Sequence, residues 1–121
     1  IFRGGKKIIA NKNTTINQQN SELNKKKTEL DITKELRNAY QTHLNNLFIM
    51  EVQNKNLETN KNNFERNLER YKIGQVSSIE FRRAQLNLLN AELSNSSAKY
   101  QAKISEAYFL KISGEIISRF K

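Results

Sequence analysis

The stretch at residues 71–85 contains the clearest break in a helical pattern that extends over nearly the whole chain. Gly74 can adopt the left-handed backbone conformation that ends a helix, because it has no Cβ atom. Ser77 and Glu80 have the S-x-x-E spacing of a capping box, in which the hydroxyl and the carboxylate each bind a free backbone amide. One helix therefore ends and another begins within a few residues. The sequence predicts a helical hairpin whose tip is residues 74–77.

The remainder of the chain lacks residues that would end a helix. None of its 121 residues is proline or tryptophan, and only four are glycine. A sandwich or a barrel needs many turn residues, so this composition favours an all-α fold. Hydrophobic residues make up 36% of the chain, which is less than in a typical globular domain. We therefore expect a thin apolar seam between helices rather than a thick core.

The helix boundaries follow from the positions of the glycines. We expect a long helix over residues 6–73 and a return helix over residues 78–113, with Gly114 as the helix stop. Residues 114–121 form an apolar tail. Residues 1–5 are expected to be the end of an extended segment that enters the first helix. Because the chain begins with isoleucine rather than methionine, we expect it to be a piece of a longer protein.

Apolar residues recur every seven positions on both sides of the tip, and the two series mirror each other about it. Such a pattern predicts an antiparallel coiled-coil seam with a definite register. The expected pairs are Tyr71 with Ile79, Phe64 with Leu86, Leu57 with Leu93 and Met50 with Tyr100, and Ala107 continues the second series.

A further heptad series lies near the start of the chain and consists of Ile9, Ile16, Leu23 and Leu30. The hairpin register leaves this series without a partner, and a single apolar stripe does not stabilise an unpaired helix. We expect other subunits, or sequence beyond this stretch, to cover it. The isolated chain is expected to self-associate or to fray over this region.

The sequence offers little for catalysis or for metal binding. It has no cysteine, which excludes disulfides and thiolate ligands, and its single histidine, His43, has no second ligand at metal-binding spacing. The serines and threonines have no histidine arranged beside them in a recognisable order. We expect no enzyme activity, no cofactor and no metal site, and a structural role for His43.

The motif Y-x-x-G-x-x-S-x-x-E-F-x-x-A-Q at residues 71–85, followed by Leu88, Ala91 and Tyr100, resembles the repeat of TolC-family outer-membrane efflux proteins. The segment I-F-R-G-G at residues 1–5 is similar to the junction where a membrane strand of that family enters its long periplasmic helix. The segment L-K-I-S-G at residues 110–114 is similar to the end of the repeat. The resemblance covers essentially the whole chain as one of two tandem repeats, and it favours the C-terminal one.

The resemblance implies a homotrimer whose protomers each contribute two such hairpins to a hollow α-helical barrel in the periplasm. A membrane β-barrel would anchor it in the outer membrane. The hairpin tips would form the entrance and dock a periplasmic adaptor (membrane fusion) protein, which connects the channel to an inner-membrane pump. Channels of this family serve efflux or type I secretion, conduct drugs, metals or proteins outward, and do no covalent chemistry.

Two groups of site residues follow from the resemblance. The tip residues expected to dock the adaptor are Gly74, Gln75, Val76 and Ser77. The residues expected at the entrance or between neighbouring hairpins are Arg70, Glu80, Arg82 and Arg83.

Three of these side chains also have local interpretations. Val76 occupies, together with Phe81, the positions of a hydrophobic staple. Some members of the family carry two acidic residues around the entrance, but here Glu80 takes the first position and Arg83 the second. An acidic cation-binding ring is therefore not implied. The Glu80 carboxylate is needed by the capping box, and an ion pair with Arg83 or a contact to an adjacent helix are alternatives.

Two other functions are compatible with the same sequence. The chain could be a free-standing coiled-coil interaction module whose likeness to the family is only its heptad period. It could also be a basic helical nucleic-acid binder, because its formal net charge is +9. The basic residues are scattered, with residues 25–27 as the longest run, and aromatic residues do not interleave with them as base-stacking platforms would. No nucleic-acid partner is expected.

Overall fold

The computed structural model describes the backbone of residues 2–120 and the side chains of residues 4–118. Within this part of the chain the fold is all-α. Helix α1 extends over Phe2–Lys72 and helix α2 over Ser78–Phe120, with a short turn between them and no strand among the described residues. The expectation of two long helices that meet at a break near Gly74 is confirmed.

The first helix begins earlier than expected. Residues 2–5 belong to α1, so the expected extended segment is wrong for them, and Ile1 lies outside the described residues. A Cβ atom built on Gly4 or Gly5 would have no neighbour within 4 Å. No packing contact therefore requires a glycine there. Glycine in a helix costs about 1 kcal/mol relative to alanine, and the helix continues through both positions.

The second helix also continues past its expected end. Gly114 lies inside α2. The glycine with positive φ among the described residues is Gly74, so the backbone at Gly114 is not left-handed. The expected helix stop at Gly114 and the separate tail after it are therefore wrong. Ile112 is 4% exposed and Ile116 is half-buried, so apolar burial on both sides offsets the cost of the helical glycine.

The chain divides into two units, residues 1–37 and residues 38–121. The first unit is a stretch of α1 whose side chains are largely exposed. Several threonine hydroxyls in it donate to the carbonyl oxygen four residues earlier, for example Thr14 to Ala10 at 2.9 Å. Its expected heptad series is exposed, with Ile9, Ile16, Leu23 and Leu30 between 52% and 71% accessible.

In the second unit, α1 and α2 pack against each other along a narrow stripe, here called the seam. The seam residues are those with reduced exposure, and they follow one another at spacings of three and four residues. In α2 they are Phe81, Ala84, Leu88, Ala91, Asn95, Ala98, Ala102, Ser105, Phe109, Ile112 and Ile116. In α1 of this unit they include Ala39, His43, Asn46, Met50, Gln53, Leu57, Asn60, Phe64 and Asn67.

The composition of the seam in α2 corrects a sequence-based expectation. The predicted series of Ile79, Leu86, Leu93 and Tyr100 is 73%, 55%, 61% and 69% exposed, and Ala107 is exposed as well. The buried series is made of smaller residues, with Ala84, Ala91 and Ala98 between 3% and 6% exposed. Small side chains let two helix backbones approach closely, and the larger α1 residues occupy the remaining space. In the α1 part of the expected seam, Met50, Leu57 and Phe64 are half-buried, whereas Tyr71 is 42% exposed.

Contacts between the helices show which residues of α1 lie beside which residues of α2. Next to the turn, the Phe81 ring packs on Phe64 and Tyr71, with ring centroids 5.6 and 4.7 Å apart. The Tyr71 and Phe64 rings therefore meet Phe81, whereas the expected partners were Ile79 and Leu86. The other contacts lie farther from the turn: Tyr40 with Phe109 at 5.5 Å between centroids, His43 with Ser105, and Asn46 with Gln101.

Candidate docking site at the turn between the helices

Helix α1 ends in a Schellman motif at the predicted glycine. Gly74 has φ of 76°, in the left-handed region, as its sequence context predicted. Its amide donates to the Tyr71 carbonyl at 3.0 Å, and the Gln75 amide donates to the Arg70 carbonyl at 2.8 Å. These two bonds satisfy carbonyl oxygens that a helix end would leave without partners. A Cβ at Gly74 would meet open space, so backbone conformation rather than crowding favours glycine there.

Helix α2 begins with the predicted capping box. The Glu80 amide donates to Ser77 Oγ at 3.2 Å, and the Ser77 amide donates to Glu80 Oε2 at 3.4 Å. A carboxylate in the first turn also interacts favourably with the positive end of the helix dipole. Val76, just before the cap, is half-buried, as is Phe81. The turn is therefore fixed by its own backbone and side chains on both sides.

Four of the predicted site residues line one hollow beside the turn, here called the tip hollow. Its volume is about 310 Å³, and the predicted residues in its lining are Arg70, Val76, Glu80 and Arg83. The remaining predicted residues, Gly74, Gln75, Ser77 and Arg82, are not part of the lining. They are exposed near the turn. The structure thus brings half of the predicted residues together around one hollow and leaves the other half outside its lining. Arg70, Glu80 and Arg83 are exposed as well.

Sequence reasoning missed the amides of the tip hollow. Asn63, Asn67 and Asn87 complete its lining together with Ala84. The Asn67 amide group donates to the Asn63 carbonyl at 2.8 Å and to Asn63 Oδ1 at 3.2 Å. Asn67 belongs to a series of amides in α1, with Asn46, Gln53 and Asn60, that repeats every seven residues. That repeat is the sequence signal for these amides, but a seam predicted from apolar residues alone does not include them.

The charges around the turn are only partly paired. Lys72 and Glu69 form an exposed ion pair at 3.4 Å. None of the ion pairs among residues 4–118 involves Arg70, Arg82 or Arg83. Glu80 and Arg83 do not form an ion pair among residues 4–118, and Oε2 of Glu80 accepts from the Ser77 amide. Arg70 lies in the last turn of α1, where a cation interacts favourably with the helix dipole.

Farther from the turn the seam contains a polar region. His43 Nδ1 lies 3.1 Å from Ser105 Oγ, and that hydroxyl donates to the Ala102 carbonyl at 2.9 Å. The donor in the His43–Ser105 contact is set by the tautomer of the histidine. Two buried amide oxygens, Gln53 Oε1 and Asn95 Oδ1, have no hydrogen-bond partner in the described structure. Polar groups in these positions weaken a seam relative to apolar ones.

The apolar residues that the seam excludes form a second stripe on α2, here called the outer stripe. It consists of Ile79, Leu86, Leu93 and Tyr100, which repeat every seven residues and are at least 55% exposed. Leu89 and Ile104, at 50% and 49% exposure, flank it. Helix α2 therefore has apolar residues on two faces, and among residues 4–118 only the face of the smaller residues is covered.

No group of three or more histidine, cysteine or acidic side chains among the described residues is placed to hold a metal ion. Neither of the described helices contains a segment long and apolar enough to cross a membrane.

Comparisons with known proteins gave no relative: no family model, no curated protein and no solved structure matches the chain.

Proposed function

We propose that this chain is a periplasmic α-helical hairpin of a TolC-like outer-membrane channel for efflux or type I secretion. The two helices form an antiparallel hairpin, and several hairpins side by side form the wall of a trimeric barrel. The turn at residues 74–77 is the tip that docks a periplasmic adaptor. The proposal combines the sequence resemblance with three features of the structure.

The outer stripe is the observation that carries the proposal. A hairpin that works alone is expected to bury its largest apolar residues between its own helices. Here Ile79, Leu86 and Leu93 are exposed while alanines fill the seam. Burying a leucine or isoleucine side chain contributes about 1.5–3 kcal/mol. A helix with two apolar faces fits between two neighbours, as in the wall of a barrel.

The contacts between the helices support the antiparallel arrangement. Phe64 meets Phe81 close to the turn, His43 meets Ser105 farther away, and Tyr40 meets Phe109 farther still. In the His43–Ser105 and Tyr40–Phe109 pairs the two residues lie at similar distances from the turn along the chain, whereas Phe81 lies nearer to the turn than Phe64. We infer a register close to the predicted one but carried by different α2 residues.

The geometry of the turn supports its role as a docking tip. Gly74, Gln75 and Ser77 are exposed, and the backbone that holds them is fixed by the Schellman motif and the capping box. A preorganised turn loses little conformational entropy when a partner binds. Gln75 and Ser77 are exposed to a partner, whereas Val76 is half-buried.

The test uses the full-length protein. We expect Gly74→Trp and Gln75→Trp to abolish efflux while trimers still form, because bulk at the tip blocks the docked adaptor. The matched controls are Gly74→Asn and Gln75→Asn, which place a small polar side chain at each position. Asparagine also tolerates the left-handed conformation of residue 74. Unchanged efflux in both tryptophan variants would contradict the tip assignment. A full-length sequence without a second similar repeat would contradict the channel itself.

A further inference from the structure

We infer that the tip hollow binds a single carboxylate, supplied by an acidic side chain of the protein that docks at the turn. The inference gives the chemistry of the docking partner. It depends on the proposed function for the identity of that partner, but not for the binding itself. The residues that carry it are Arg70 and Arg83, with the amides of Asn63 and Asn87 beside them.

The first reason is the charge of the lining. The residues that line the hollow include two arginines and one glutamate, so the formal net charge of the lining is one positive. That carboxylate, Glu80, is already held by the Ser77 amide at 3.4 Å. Neither Arg70 nor Arg83 takes part in an ion pair among residues 4–118. A single negative charge would therefore be balanced in this hollow, whereas a dianion would exceed the available positive charge and lie close to Glu80.

The second reason is the geometry of the donors. Arginine presents a planar set of N–H donors that binds the two oxygens of a carboxylate side by side. The two arginines come from different helices, and both line the same concavity. The asparagine side chains in the lining can supply neutral N–H donors.

The third reason is the contrast with the neighbouring arginine. Arg82 directly precedes Arg83 in α2 but does not line the hollow. Like Arg83, Arg82 is exposed and forms no ion pair among residues 4–118. The two residues have the same charge and differ in position. Arg82 is therefore the matched control for Arg83.

The experiment follows the arginine side-chain N–H signals of the whole 121-residue chain by NMR during a titration. The probe is N-acetyl-glutamic acid α-amide, which carries one carboxylate, and the control probe is its neutral isostere, N-acetyl-glutamine amide. We expect saturable shifts at Arg70 and Arg83 with the acidic probe and none with the neutral one. Arg70→Gln or Arg83→Gln should weaken binding about fivefold or more, as expected for a charge-assisted bond. Arg82→Gln should change the affinity less than twofold.

Three results would overturn the inference. One is a set of non-saturating shifts of equal size at all three arginines, which would show only general ionic effects. Another is an equal loss of affinity in Arg82→Gln and Arg83→Gln, which would remove the role of the hollow. The third is tighter binding of inorganic phosphate than of the carboxylate probe. None of these results bears on efflux in the tip variants above, so failure of this inference and failure of the proposed function are separable.

Discussion

Substituting alanine for glycine should have opposite effects at the two glycines of the second unit. At Gly74 the backbone has φ of 76°, and a Cβ there would meet no atom within 4 Å. The cost of Gly74→Ala therefore comes only from forcing an L-residue into the left-handed region, about 1–2 kcal/mol. At Gly114 the backbone is helical and the surroundings are equally open. Gly114→Ala should stabilise the fold by about 0.5–1 kcal/mol, because glycine is less favourable than alanine in a helix.

The assay is urea unfolding followed by circular dichroism, at a protein concentration low enough for every sample to be monomeric, because association raises the apparent stability. With a denaturant slope of about 2 kcal/mol per molar, typical of small proteins, the midpoint should fall by about 0.5–1 M for Gly74→Ala. It should rise by about 0.3–0.5 M for Gly114→Ala. Gly74→Asn should lie between the wild type and Gly74→Ala, because asparagine tolerates the left-handed conformation.

The comparison can refute the structural reasoning in two ways. If Gly74→Ala leaves the midpoint unchanged, α1 does not end in a left-handed glycine. If Gly114→Ala lowers the midpoint, Gly114 ends a helix as the sequence suggested, and the continuous α2 is wrong. Because the same substitution is made at both sites, differences in side-chain size cannot explain opposite signs.

The capping box and the seam can be tested by the same unfolding assay. Ser77→Ala should destabilise the fold by about 1 kcal/mol, as the loss of an N-cap typically does; an unchanged midpoint would show that the Ser77–Glu80 bonds contribute nothing. Ala91→Leu should cost about 1–3 kcal/mol, because a 3% exposed alanine in the seam leaves no room for a larger side chain. Leu93→Ala, at a 61% exposed site, should change the stability of the monomer by less than about 0.5 kcal/mol. The reverse order for these two variants would place the seam on the outer stripe.

The turn could be predicted because its determinants are local. A glycine that ends one helix and an S-x-x-E box that starts the next act through hydrogen bonds between residues at most five apart. Such bonds depend little on what the rest of the chain does. Only half of the residues that line the tip hollow are among the predicted site residues. Its amides lie in α1 and α2 outside the local motifs that form the turn.

The seam could not be predicted because α2 carries two heptad stripes. Ranking residues by size and hydrophobicity selects Leu86 and Leu93, whereas packing within the chain selects Ala84 and Ala91. Both stripes have the same seven-residue period, so periodicity cannot distinguish them. The deciding factor is how closely the two backbones approach, and that depends on both helices at once. A hydrophobic fraction of 36% predicts a thin core, but it does not indicate which face of α2 is buried.

Gly114 shows a related limit. A glycine near the end of a helical pattern is a reasonable stop signal, because it ends helices more often than other residues do. At Gly114 the pattern of burial continues beyond it, to Ile116. The gain from that burial is set by tertiary packing, which a local signal does not contain.

The central claim is that the outer stripe is covered by other helices, and sedimentation equilibrium of the whole chain tests it most directly. Leu86 and Leu93 are 55% and 61% exposed, so replacing both with glutamine should leave the individual chain folded. We predict that the wild-type chain associates in a concentration-dependent manner. The double variant should associate at least tenfold more weakly, because each buried leucine contributes about 1.5–3 kcal/mol. A wild-type chain that remains monomeric and fully helical at all concentrations, or a double variant that associates as well as the wild type, would contradict the claim.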